Sequence, residues 1–131
     1  METETKPNAN SEHIIVPIVV EAGALWSSTF GGGWESAGDH IKSIEFLNDA
    51  SWEIVGLARI TAEDPDNEDK TITVEVGIHD LTKAFSDLVA SEFGHCGQRI
   101  VQDFYGHDFD FDTCSSDGMI QQMVYGKVIY G

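Results

Sequence analysis

The chain has 131 residues, 41% of them hydrophobic, and sets 23 acidic residues against 7 basic ones, for a formal net charge of −16 and a pI near 4.3. That length suits one domain around a single packed core. The charge excludes direct binding to nucleic-acid phosphates or anionic membranes unless metal ions or an oppositely charged partner intervene, and it favours a basic protein partner, although acidity also serves solubility alone.

Two cysteines, Cys96 and Cys114, are too few for a disulfide framework. The opening residues lack the basic, apolar and cleavage regions of a secretory signal, so a reduced, cytoplasmic location is predicted. The longest apolar run, Ile14 to Val20, contains Pro17 and falls far short of the roughly 20 residues of a membrane span. No membrane association is expected.

In chain order, residues 1–12 are polar and aperiodic and read as a disordered tail, leaving 13–131 as the domain. His13 to Glu21 is rich in β-branched residues and predicts a strand, at a sheet edge because Pro17 has no amide for a central ladder. Ala22 to His40 is rich in Gly and Ser but carries Trp26, Phe30 and Trp34, so it reads as a loop folding its aromatics onto the core. Its glycines, Gly31 to Gly33, lack the lysine that a phosphate-binding loop requires.

Ile41 to Leu47 predicts a short strand. Ser51 to Ala62 alternates, with Trp52, Ile54, Gly56, Ala58 and Ile60 on one face, and Lys70 to Ile78 alternates more cleanly through Ile72, Val74, Val76 and Ile78. Glu63 to Asp69, EDPDNED, supplies turn chemistry between them and predicts a hairpin with an acidic tip. Asp80 looks like the cap of a helix whose face is Leu81, Phe85, Leu88, Val89 and Phe93 before Gly94 stops it. A short helical stretch is expected around Ile100 to Tyr105, an extended piece at Asp108 to Asp112, and a final helix from about Thr113 to Gly126 that buries Ile120, Met123 and Val124. The fold class expected is α+β, a mainly antiparallel sheet of three to five strands with two or three helices packed on one face.

Gly94 to Asp117 concentrates the groups that bind metals or move protons. His95, Cys96, His107 and Cys114 are the right ligand types for zinc, yet adjacent His95 and Cys96 do not match paired knuckle spacing. Asp108, Asp110 and Asp112 begin as a calcium loop begins, but Thr113 stands where glycine is needed and Met119 where the bidentate glutamate is needed. A nucleophilic cysteine needs an electropositive setting, and this one is acidic. No cofactor and no catalytic residue is predicted.

Residues 112–131 set Asp112, Cys114, Ser115 and Asp117 before an apolar helix with Ile120 and Gln121, which closes on Tyr125, Gly126 and Gly131. This segment resembles the end of small proteins of bacteriophages and mobile elements. The resemblance implies a source in which small acidic proteins serve host takeover or anti-defence, and it implies no catalytic residue. Together with the charge, it predicts a non-catalytic interaction protein that inhibits a basic, nucleic-acid-handling host protein as a nucleic acid mimic. The contact residues predicted are Glu63, Asp64, Asp66, Glu68 and Asp69, with Asp108, Asp110 and Asp112. A small metal-binding protein or metal-dependent hydrolase using the His/Cys set is the alternative reading, and a virion assembly component using Trp26, Phe30 and Trp34 is the third.

Overall fold

The computed structural model describes residues 21–91, 94–95, 98–99 and 111–130. The described residues form an α+β arrangement: α1 (Ala22–Phe30), a 3₁₀ turn (Trp34–Ser36), β1 (Ile41–Leu47), β2 (Leu57–Asp64), β3 (Asn67–Val76), α2 (Ile78–Ala90) and α3 (Thr113–Tyr125). A two-residue ladder joins β4 (Gly94–His95) to β5 (Gln98–Arg99). The main sheet is antiparallel in the order β1-β2-β3, as the alternating strands predict.

The period of two decides which face is buried. Ala58, Ile60 and Ala62 of β2 oppose Val76, Val74 and Ile72 of β3, and Ile44 and Phe46 of β1 lie on the same side. The three helices cover that side, bringing Trp26 and Phe30, Leu81, Ala84 and Leu88, and Met119 and Ile120 into one core with it. The opposite face is polar: Arg59 bridges Glu45 and Glu75 across the strands at 3.1 and 2.9 Å, and Thr61 meets Thr73 at 3.2 Å. These exposed ion pairs fix register more than they add stability.

The expected loop at 22–40 is in its first half a helix. Its hydroxyls do not break it because they return to the backbone one turn earlier, Ser27 Oγ to Gly23 O and Thr29 Oγ1 to Leu25 O, both at 2.8 Å. Trp26 and Phe30, four residues apart, share its buried face and pack on Phe46 of β1 with ring centroids 6.4 and 5.5 Å away. The aromatics do cover the core, as the sequence suggests, but from a helix.

The strand expected from Ser51 starts only at Leu57. Asn48 and Asp49 take positive φ angles of 53° and 65°, and Ser51 and Ile54 then exchange backbone hydrogen bonds at 3.1 Å. The chain is thereby turned out of the sheet, and Trp52 and Ile54 end up exposed rather than inward. At the hairpin, β2 and β3 pair as far as Asp64 opposite Asn67, so the turn is only Pro65–Asp66. Ile78 opens α2 rather than closing β3. Asp80 lies in the first turn of α2 instead of at its cap, where its Oδ2 accepts the N–H of Gly77 at 2.8 Å. α3 begins as expected, with Asp112 Oδ1 accepting the N–H of Ser115 at 2.9 Å, and ends on Gly126 at φ 75°. The expected N-terminal strand, apart from Glu21, and the elements expected over 100–110 lie outside the described residues.

Candidate functional site

The hairpin tip is the acidic surface the sequence points to, and its five carboxylates divide into two groups. Glu63 is tied to the fold: its Oε2 accepts the Tyr130 hydroxyl at 2.7 Å, its backbone O accepts the Tyr125 hydroxyl at 2.6 Å, and Lys42 Nζ lies 4.0 Å from Oε1. Asp64 is half-buried and its Oδ1 accepts the N–H of Asp66 at 2.9 Å, which closes the turn. Asp66, Glu68 and Asp69 are exposed and form no ion pair with a described residue, so they are the three free to act at a distance.

Beside the tip, where the hairpin meets the end of α3 and the segment after it, an open groove of about 620 Å³ is lined by the charged side chains of Asp64, Asp66 and Lys127 together with Ile72, Val124, Tyr125 and Ile129. Burial, then the charges of Glu63, Asp117 and Asp64, push the Tyr125 phenol above its ordinary value. The hydrogen bond to Glu63, joined by desolvation, pushes Tyr130 up to about 12. Both tyrosines are therefore neutral donors that brace Glu63 from below.

Behind the groove sits a buried polar cluster that sequence reasoning did not assemble. His40 Nε2 lies 2.6 Å from Asp117 Oδ1, and Gln121 Nε2 donates to Asp117 Oδ2 at 2.7 Å and to Tyr130 O at 2.8 Å. Gln121 Oε1 accepts the N–H groups of Ile129 and Tyr130, both at 2.8 Å. All four hydrogen-bonding positions of that amide are used, which fixes its orientation. His40 Nε2 donates to Asp117, so the 3.4 Å approach of Gln121 Nε2 sets two donors side by side and is no hydrogen bond. The His40 ring stacks on Tyr130 with centroids 4.7 Å apart and planes 10° from parallel. His40, Asp117 and Gln121 are all buried. The cluster thus clips the C-terminal segment, with the groove residue Ile129, against α3.

Asp108 and Asp110 lie outside the described residues, and so do the side chains of His95, Cys96 and His107. Asp112 is engaged as the cap of α3, and Cys114 is exposed at the second position of that helix. Among the described residues, no group of three or more His, Cys, Asp or Glu side chains is arranged to hold a metal ion, and no helix is long and apolar enough to cross a membrane. Trp26 and Phe30, proposed from sequence as a possible self-contact, are buried, and Trp34 is half-buried against the core.

Compared with known proteins, the chain matches no family model, no curated protein and no solved structure.

Proposed function

We propose that this is a non-catalytic interaction protein that captures a basic protein partner on its acidic hairpin tip and the adjoining groove, and that it acts by occupying a surface the partner otherwise offers to nucleic acid. The observation that carries the reading is a groove that sets the carboxylates of Asp64 and Asp66 beside the apolar side chains of Ile72 and Val124. An arginine or lysine side chain has an aliphatic stem and a charged head. The stem matches Ile72 and Val124, and the head matches Asp64 and Asp66. Asp66, Glu68 and Asp69 extend the negative field outward and steer a basic surface in before contact forms.

The test is capture of partners from host lysate at two salt concentrations, followed by affinity measurement on the purified pair. Binding should weaken as salt rises and should fall when Asp66, Glu68 and Asp69 are reversed to lysine, and nucleic acid should compete with it. A captured partner whose affinity ignores both salt and charge reversal would sink the reading. These three positions suit the experiment because none supports the fold through its carboxylate.

A further inference from the structure

The described residues expose five large hydrophobic side chains, and four of them, Trp52, Ile54 and Val55 of the β1–β2 connection and Leu57 at the start of β2, fall within six positions at 48%, 58%, 37% and 38% exposure. The fifth, Ile129, belongs to the groove already described. Single exposed hydrophobics are ordinary, but a cluster in one segment marks a contact surface. The segment is held rather than loose. Trp26 of the core donates its indole N–H to Ser51 O at 2.7 Å, and Ser51 Oγ accepts the N–H groups of Glu53 and Ile54 at 3.1 Å. A side chain on Gly31 would come within 2.7 Å of the Trp52 ring, so this backbone is bare where the indole rests on it.

The charges along this part of the chain have one sign. From Glu45 to Gly56 the chain carries Glu45, Asp49 and Glu53, all exposed, and no lysine or arginine. Arg59, the nearest cation along β2, is already shared between Glu45 and Glu75. A second copy of this chain would set these carboxylates against their own kind, and an anionic bilayer would be repelled. A partner face that is apolar at its centre and basic at its rim satisfies both features.

We propose that Trp52, Ile54, Val55 and Leu57 form a second docking surface, for an amphipathic basic helix whose apolar stripe covers them while its lysine or arginine flanks meet Glu45, Asp49 and Glu53. This surface is separate from the hairpin tip. β2 runs the eight residues from one to the other, which at about 3.3 Å per residue is roughly 25 Å. The two sites therefore engage different parts of one partner or two different partners.

The probe is a synthetic amphipathic helical peptide of leucine and lysine, titrated against the whole chain while tryptophan emission is followed. Trp26 is buried and Trp34 half-buried, so Trp52 is the reporter. A saturable blue shift is expected, lost in Trp52→Phe, with affinity reduced about tenfold or more by Ile54→Ser, as for a central interface anchor, and changed less than about twofold by Asp66→Lys with Glu68→Lys. Ile54 is exposed, so Ile54→Ser leaves folding intact, and an unchanged melting temperature checks this. Equal affinity of the Ile54→Ser variant, or an affinity set by the hairpin-tip charges, overturns the proposal. So does the same blue shift with phosphatidylcholine vesicles, or a solution dimer that Ile54→Lys dissociates.

Discussion

His40, just ahead of β1, and Asp117, in the first turns of α3, meet across 77 residues of chain with 2.6 Å between Nε2 and Oδ1, both side chains buried. The contact joins the sheet to the last helix, and Gln121, one helical turn beyond Asp117 and bonded to it, passes it on to the C-terminal segment through three further hydrogen bonds. Glu63 closes the loop of contacts: its N–H donates to His40 O at 2.7 Å and its carboxylate accepts from Tyr130. The acidic tip is thereby coupled mechanically to the buried cluster.

Removing Asp117 leaves the His40 Nε2–H and one Gln121 donor unpaired in the interior. Asp117→Ala is expected to destabilise the fold by about 3 kcal/mol or more, the range for breaking a buried pair from one side. Urea unfolding measures it. In a double-mutant cycle with His40→Ala, the two losses should not add, with a coupling energy above about 1 kcal/mol. Additive losses would mean the two side chains do not depend on each other.

Stability should fall between pH 10 and 12. Tyr130 holds its proton in the folded state up to about 12, against 10.0 for an unperturbed phenol, because Glu63 accepts its hydrogen bond. The folded state therefore binds the proton more tightly than the unfolded state. The stabilisation is complete below pH 10 and lost as pH rises through about 12. Tyr125 shifts in the same direction and contributes with the same sign. Tyr130→Phe should flatten the alkaline decline measured by denaturant midpoints, and an unchanged slope would refute the role given to this hydrogen bond.

The sheet was legible in the sequence because a period of two leaves little choice: Ala58, Ile60 and Ala62, and Ile72, Val74 and Val76, must share a face, and they do. The first helix was hidden by composition. Glycine and serine outvoted the four-residue spacing of Trp26 and Phe30, which was the available signal, and the back-bonding of Ser27 and Thr29 is invisible without coordinates. At the hairpin tip the run of acids was readable, but not that Glu63 is bound by a tyrosine 67 residues later. His40 and Gln121 gave no local sign, since each is an isolated polar residue whose partners come from the other end of the chain.

The glycines near α1 separate two physical roles and predict opposite signs. At Gly32 a Cβ would come within 2.5 Å of Ser28 O and 2.8 Å of Ser116 Cβ, where the end of α1 crosses α3. Ser116 Oγ donates to Thr29 O at 2.5 Å in the same crossing. Gly32→Ala should therefore cost about 1–3 kcal/mol by overpacking. At Gly23, in the first turn of α1, nothing lies within 4 Å, so Gly23→Ala should be neutral or stabilise by up to about 1 kcal/mol through helix propensity. Thermal melting of the two variants distinguishes them, and a melting temperature lowered by both would contradict the open space at Gly23.

Salt should act on this protein in two opposite directions. A net charge of −16 on 131 residues means that the folded chain repels itself, most of all where Asp66, Glu68 and Asp69 stand together with no ion pair to a described residue. Added salt screens that repulsion over a Debye length that shrinks to about 10 Å at 0.1 M, so the melting temperature of the isolated protein should rise with salt. The same screening removes the steering that brings a basic partner to the tip, so the association rate should fall steeply while dissociation changes little. Reversing Asp66, Glu68 and Asp69 to lysine should weaken both dependences together, raising stability at low salt and slowing association. If the variant gains stability while its association rate with a basic partner stays at the parent value, the tip's charge serves solubility alone and the partner binds elsewhere.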